Sequence, residues 1–199
     1  MPENDTILQP RSRTQTAGIR NSLRTATAQA HERLDSYSRR VNLADRQNYG
    51  RFLQAQSGPV SALEAALEQF GIARLLPDWS LRSRTAALDH DLQYLHLHAE
   101  SCPSVCLTSA AQAFGTLYVL EGSRLGARVL LQEILEATPS LEPATRFLRH
   151  GAEYRLWPTF LRSLEANVAV DDLAKCAQGA RNAFALFERS FIEAFGASA

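Results

Sequence analysis

Apolar residues recur at steps of three and four along most of the chain, which is the spacing of one buried face of a helix. The apolar face of the first predicted helix, from 17 to 39, consists of Leu23, Ala26, Ala30 and Leu34. Strand-like alternation of apolar and polar residues is absent. The pattern predicts an all-α, single-domain helical bundle of about seven or eight helices.

Caps and breakers set the expected limits of the second and third helices. Asn42 is expected to cap a helix that begins near Leu43, and Ser57-Gly58-Pro59 should kink or break it. The apolar period resumes at Val60, and Gly71 should end the helix. A third, short helix is predicted from 82 to 97.

The fourth predicted helix, which begins near Val105 or Thr108 and ends at Ala137, contains three glycines. Each glycine inside a helix destabilises the helix by about 1 kcal/mol relative to alanine, so three glycines in one helix indicate a structural or functional requirement. Gly122 and Gly126 are four residues apart and fall on one face. A strip without side chains allows close approach either of another helix, which the spacing alone favours, or of a flat ligand.

The remaining helices are predicted through Leu148, from Trp157 to Ala166, and from Asp171 or Asp172 to Phe195. Residues 1–16 are polar and have no period, so we expect a disordered tail before a domain that spans 17–199.

Composition and charge narrow the class of protein. Hydrophobic residues make up 45% of the 199 residues, and 21 basic residues balance 21 acidic ones. These values are typical of a globular protein without a nucleic-acid or membrane-binding surface. Three scattered cysteines and an N-terminus without an apolar signal segment favour a reducing, cytoplasmic location.

His31 is the most informative polar residue of the first helix. Asp35 follows it by one turn and can hydrogen-bond one ring nitrogen, which strengthens an imidazole as a metal ligand. Arg24 precedes it by two turns, about 10 Å along the same face. Such a pair could hold the iron and a propionate of a haem. A solvated polar face is the alternative for His31 and its neighbours. The three histidines near the third helix, His90, His96 and His98, are expected at the surface.

Two segments resemble haem oxygenases. Residues 23–35, LRTATAQAHERLD, resemble the proximal helix of that family, and residues 117–126, LYVLEGSRLG, resemble its distal helix in the bacterial, biliverdin-producing form. The order and separation of the two segments are also similar, and the resemblance extends over about 19–195.

The resemblance implies that a haem b, both substrate and cofactor, lies between these two helices. His31 would be the proximal iron ligand with Asp35 behind it, and Arg24 would face a propionate. The implied catalytic positions are Gly122, Ser123 and Gly126, where the distal helix bends onto the haem. Thr27, Phe184 and Phe191 would also contact the haem. Arg155 is the nearest match to a later basic propionate clamp, and Ala127 replaces a second adjacent glycine found in mammalian members.

The implied reaction opens the haem ring to biliverdin and releases CO and iron, using O2. The fourth helix contains no histidine, so Ser123 and ordered water would deliver protons. Electrons would come from a ferredoxin or a flavin-dependent reductase. A surface patch (Arg20, Arg39, Arg40 and Arg46) could dock that donor or could simply be solvated. The product could enter a bacteriophytochrome pathway or iron supply.

Two other functions remain open from the sequence. A non-catalytic haem-binding or haem-trafficking protein could share the fold. A haem-free relative is disfavoured. Di-iron bundles need Glu-x-x-His pairs, which the sequence lacks, and a thiamin-degrading enzyme needs a nucleophilic cysteine in a pocket, whereas Cys102 and Cys106 lie near a predicted turn.

Overall fold

A computed structural model describes the backbone of residues 13–196 and the side chains of residues 18–196. These residues form seven α-helices and no strand, which confirms the all-α prediction. The helices are α1 (Arg13–Arg40), α2 (Arg46–Phe70), α3 (Thr85–Tyr94), α4 (Ala110–Ala137), α5 (Arg146–Arg149), α6 (Leu156–Asn167) and α7 (Leu173–Phe195). Short 3-10 turns link them at Ile72–Arg74, Trp79–Leu81, Pro139–Ala144 and Val170–Asp172.

The last helix, α7, lies at the centre of the bundle. Its regular apolar period buries Ala180, Phe184, Phe187 and Phe191. Because α1, α2 and α4 all pack against α7, this helix positions the elements that carry the candidate site.

Two glycines bring α4 and α7 into close contact. A Cβ at Gly115 would overlap the carbonyl oxygen of Cys176, and a Cβ at Gly179 would overlap the carbonyl oxygen of Gln112. Only the absence of both side chains allows the backbones to approach this closely. For Gly115, therefore, helix packing is the reason for the glycine.

The second helix differs from the sequence-based prediction at its start and middle. Its N-cap is Asp45, whose Oδ1 accepts the backbone N–H of Asn48 at 2.9 Å, while Asn42 accepts the N–H of Ala44 in a turn just before the helix. Ser57-Gly58-Pro59 does not break the helix. A Cβ at Gly58 would lie only 3.1 Å from the Cys102 sulfur, so this glycine makes room for a crossing segment.

The end of α2 is as predicted, whereas the starts of α1 and α3 differ from the prediction. Gly71 ends α2 in the left-handed conformation, with φ of 81°. Residues 1–12 of the predicted tail lie outside the described residues, and α1 begins at Arg13, inside the predicted tail. The third helix is shorter than predicted because Glu64 of α2 accepts the backbone N–H groups of Arg84 and Thr85, which makes Thr85 its first residue.

Candidate functional site

The imidazole of His31 lies on an open face of α1, where its side chain is 64% exposed. Its Nδ1 lies 3.0 Å from Oδ2 of Asp35, one turn further along the helix. A carboxylate at Nδ1 favours the tautomer that carries its proton there, which leaves the Nε2 lone pair free. This pair can therefore present Nε2 as a ligand to a metal ion.

Contacts with α7 hold this part of α1 in place. The ring of His31 lies edge-on to the ring of Phe184, with centroids 6.0 Å apart. Arg33 donates two hydrogen bonds, of 2.7 and 3.1 Å, to the carboxylate of Glu188. The ring contact and the bidentate ion pair fix the position of the His31 backbone relative to α7.

Phe191 lies two turns further along the same face of α7. It stacks on Tyr37 with centroids 6.1 Å apart and is 1% exposed. That Phe191 contacts the same ligand as Phe184 stays a prediction. Although the two residues share one face of α7, α1 closes over that face at Tyr37.

The exposed strip of α4 has bare backbone at two positions. A Cβ at Gly122 would meet only the ring of Trp157, at 3.8 Å, and a Cβ at Gly126 would meet no described atom within 4 Å. Unlike Gly115, neither glycine is needed for packing against another described helix. The strip is open to a ligand.

The strip and α1 border a region that we call the cleft. Both α1 and α4 pack along α7, and they make few contacts with each other. Leu125 and Val129, which flank the glycines on the same face of α4, are 50% and 61% exposed. Exposed apolar side chains that lie next to each other are typical of a site that binds a ligand or a partner.

One end of the cleft carries positive charge and a phenol. Burial raises the pKa of Tyr118 on α4, while the guanidinium groups of Arg20 and Arg24 and a hydrogen bond with Thr27, all on α1, oppose this shift. Thr27 is 4% exposed and also donates its hydroxyl hydrogen to the carbonyl four residues back in α1. Tyr118 was not singled out from the sequence, although it lies within the segment that resembles the distal helix.

A buried arginine supports the polar residue of the strip. Arg84 is 2% exposed, and its guanidinium donates to the Ser123 hydroxyl at 2.5 Å and to the Leu120 carbonyl at 3.0 Å. The Ser123 hydroxyl in turn donates to the same carbonyl at 2.8 Å. The guanidinium lies 4.7 Å from the ring centre of Phe147 and forms no ion pair with any described carboxylate. Burial and the charge of Arg124 lower the pKa of Arg84 to about 9.

A second buried network lies beneath α4. Arg82 donates to Glu121 at 2.7 Å and holds Asp78 through two hydrogen bonds of 2.7 Å. Arg124 also pairs with Glu121, at 3.2 Å, and donates to the carbonyl oxygen of His150 at 2.9 Å. Burial and the nearby guanidinium of Arg124 lower the pKa of His150. These contacts fix α4 against the loops that precede α3 and α6.

Comparisons with known proteins assign the chain to a family. The family model described as "Heme oxygenase" matches residues 17–193. The chain belongs to the haem oxygenase family. The family assignment makes it an enzyme, an oxidoreductase, and confirms the resemblance found in the sequence.

Relatives and solved structures agree with this assignment. Heme oxygenase PigA of Pseudomonas aeruginosa is 34% identical, over 83% of this chain and 89% of the relative. A heme oxygenase of Xanthomonas campestris pv. campestris is 28% identical, over 72% of this chain and 88% of the relative. The solved NO- and CO-bound heme oxygenase from Neisseria meningitidis has a TM-score of 0.78 and 27% identity, with 91% of this chain and 94% of that chain covered.

The donor groups of the cleft fit a haem. The porphyrin itself supplies four iron ligands, so a single protein imidazole is sufficient, and His31 has the hydrogen-bonded form that such a ligand takes. Gly122 and Gly126 leave room for a flat group at the opposite wall. Within residues 18–196, no three His, Cys, Asp or Glu side chains are grouped so that they could hold a metal ion. In the same part of the chain, no helix is both long and apolar enough to span a bilayer.

The predicted site residues lie mainly on α1, α4 and α7, and α1 and α4 both pack against α7. Arg24, Thr27 and His31 lie along α1, Phe184 lies behind the imidazole, and the α4 strip contains the two glycines and Ser123. Arg155, by contrast, is exposed at the start of α6, and no described contact ties it to the cleft. The buried partners of Ser123 and Glu121 could not be inferred from the sequence.

Proposed function

We propose that this enzyme opens haem b to biliverdin, with release of CO and iron, using O2 and an external electron donor. The supporting observation is the cleft in which His31, with Asp35 behind it, is separated from the bare backbone at Gly122 and Gly126. An imidazole wall and a glycine wall suit a flat, iron-containing ligand that needs one protein ligand and space on its other face.

On the α1 side, His31 would hold the iron through Nε2. Asp35 keeps the ring in one tautomer and makes Nε2 a stronger donor. A neutral, hydrogen-bonded imidazole donates less electron density than a thiolate would, and it leaves the opposite face open to O2.

At the charged end of the cleft, Arg20, Arg24 and Tyr118 would bind the propionates. Guanidinium groups form short, charge-assisted hydrogen bonds with carboxylates. Arg24 precedes His31 by seven residues, which is about 10 Å along the helix and comparable to the distance from a haem iron to its propionates. The phenol of Tyr118, held near both arginines, would add a neutral donor.

On the α4 side, the chain supplies space and protons. When bound, haem supplies the iron that activates O2 and the carbon atom that is oxidised. Because the bare backbone of Gly122 and Gly126 would lie close to the haem ring, only small groups and water would fit between them. Ser123 is exposed, so its hydroxyl can accept a hydrogen bond from a water molecule while Arg84 holds it in place. Because α4 has no histidine, protons would reach the cleft through Ser123 and water.

The electron donor would be a ferredoxin or a flavin-dependent reductase, and the enzyme would act in the cytoplasm. Biliverdin formed in this way could supply a bacteriophytochrome pathway, and the released iron could supply metabolism.

Haem titration followed by turnover tests this proposal. We expect a 1:1 complex with a histidine-type Soret band, which bleaches to a biliverdin spectrum when a reductant and O2 are added. His31→Ala should lose that Soret band and the turnover, whereas His98→Ala, which removes an exposed imidazole outside the cleft, should keep both. A complex that forms normally but stays intact under reductant and O2 would instead indicate the non-catalytic haem-binding alternative.

A further inference from the structure

A second cavity lies on the side of α7 that faces away from His31. It has a volume of about 340 Å³ and is bounded by α7, the first turns of α4 and residues 104–107. Leu186 lines it, whereas Phe184, about 200° around the helix, contacts the imidazole. The cavity is therefore separate from the haem cleft, and its volume is within the range of small-molecule sites.

The inner wall of this cavity is apolar except for one hydroxyl. Leu63 and Thr116 are each 1% exposed, and Ala183 is fully buried. Thr116 lines the cavity, and its hydroxyl forms no hydrogen bond with another described group. Every fully buried side-chain nitrogen or oxygen of the described residues has a partner, so this hydroxyl opens onto the cavity and can bond an occupant.

The rim of the cavity carries an unpaired positive charge. Arg189 lines the rim and is exposed, and its guanidinium forms no ion pair or hydrogen bond with any described residue. Glu193 and, less strongly, Arg189 both act electrostatically on Cys102, so the Arg189 charge lies near the 104–107 side of the cavity with a carboxylate close by. Arg189 follows Ala183 by six positions, so the inner wall and the charge are about 9 Å apart along α7.

We propose that this cavity binds a small amphipathic carboxylate. The carboxylate pairs with Arg189 at the rim, an aromatic or branched body fills the space between Leu63 and Leu186, and a hydroxyl or carbonyl group at the far end bonds Thr116. The site does not depend on haem, so it can be tested separately from the proposed reaction.

A matched set of three compounds tests the two polar contacts. The compounds are 3-(4-hydroxyphenyl)propanoate, 3-phenylpropanoate, which lacks the hydroxyl, and 3-(4-hydroxyphenyl)-1-propanol, which keeps the phenol and lacks the charge. Calorimetric titration of the full haem-free chain should show the tightest binding for the first compound. Removal of either group from the compound should weaken binding roughly tenfold, the usual effect of one lost hydrogen bond to a polar or charged partner.

Three variants locate the binding. Arg189→Gln should weaken both carboxylates about tenfold and leave the alcohol unchanged. Thr116→Val should weaken both hydroxyphenyl compounds about tenfold and leave the binding of 3-phenylpropanoate unchanged. Arg181→Gln removes an exposed arginine of the same helix that bonds Gln178 outside the cavity, and it should change nothing.

Three results would overturn the proposal. One is the absence of binding for all three compounds at millimolar concentration. Another is equal affinity of Arg189→Gln and the unmodified chain for 3-phenylpropanoate. The third is an effect of Arg181→Gln as large as that of Arg189→Gln, because a general loss of positive charge would then explain the result.

Discussion

The guanidinium of Arg84 donates a 2.5 Å hydrogen bond to the hydroxyl of Ser123, yet this buried cation has no carboxylate of its own. Arg82, two residues earlier and equally buried, holds both Asp78 and Glu121. Two arginines with the same burial therefore differ in their direct partners: Arg82 pairs with two carboxylates, whereas Glu64 and Glu121 act on Arg84 only at longer range.

Arg82→Met should destabilise the fold much more than Arg84→Met. Loss of Arg82 leaves Glu121, which is 1% exposed, with only Arg124, and breaking a buried ion pair costs about 3–5 kcal/mol. Loss of Arg84 removes two hydrogen bonds but also a charge that burial penalises, since its pKa is lowered to about 9, so we expect a net change within about 1 kcal/mol. Urea denaturation at pH 7 measures both, and equal losses would contradict the assigned partners.

Alanine at two glycines of α4 should have opposite effects on stability. A Cβ at Gly115 overlaps the backbone of α7, and such overpacking typically costs about 1–3 kcal/mol. A Cβ at Gly122 makes ordinary contact with Trp157, so Gly122→Ala should gain up to about 1 kcal/mol from helix propensity. Thermal unfolding of the haem-free chain compares them. A destabilised Gly122→Ala would show that this strip is packed rather than open.

The features that could not be predicted from the sequence depend on contacts between residues that are far apart along the chain. The apolar period was sufficient to predict α4 and α7, because packing against one core produces that period. Asn42 and Asp45 are both good caps three residues apart, and only the tertiary position of α2 selects Asp45.

The candidate site shows the same limit. His31 and Asp35 are neighbours on one helix, so their pairing follows from spacing alone. Arg84 and Ser123 are 39 residues apart, and no local pattern indicates their contact. Phe191 has the same helical face as Phe184, but whether that face is open depends on the position of Tyr37.

Mild acid should weaken the fold through His150. Its Nδ1 lies 3.2 Å from an Arg124 nitrogen that can only donate, so the folded state needs the neutral ring. Because the pKa of His150 is lowered below 6.5 on folding, the unfolded chain takes up the proton first as pH falls, and stability decreases from about pH 7 downward.

The variant His150→Asn places an uncharged hydrogen-bond acceptor near the same position. Between pH 7.5 and pH 5.5 it should lose less folding stability than the unmodified chain does. His98→Asn, at an exposed histidine, serves as the control and should behave as the unmodified chain does. Urea midpoints at the two pH values measure the effect. An unchanged pH dependence in His150→Asn would show that another group carries it.

Asp35→Asn should weaken haem binding by about tenfold. Partners of ligating histidines typically contribute 10–100-fold to metal affinity, and the lower end applies because Asp35 is 50% exposed. Transfer of haem to apomyoglobin gives the dissociation rate. Glu32→Gln removes a neighbouring exposed carboxylate of α1 and should leave the rate unchanged, so equal effects of the two variants would rule out a specific role for Asp35.

The central claim is that haem occupies the cleft between His31 and the bare strip of α4, and the haem affinity of Gly126→Leu tests it most directly. A Cβ at Gly126 or at Gly18 meets no described atom within 4 Å, so leucine at either position should leave the fold intact. Gly18 lies thirteen residues, about 20 Å, from His31 on α1 and is the matched control. We predict that Gly126→Leu binds haem at least tenfold more weakly while Gly18→Leu binds it normally. Normal haem affinity in a stably folded Gly126→Leu would place the haem elsewhere and contradict the account.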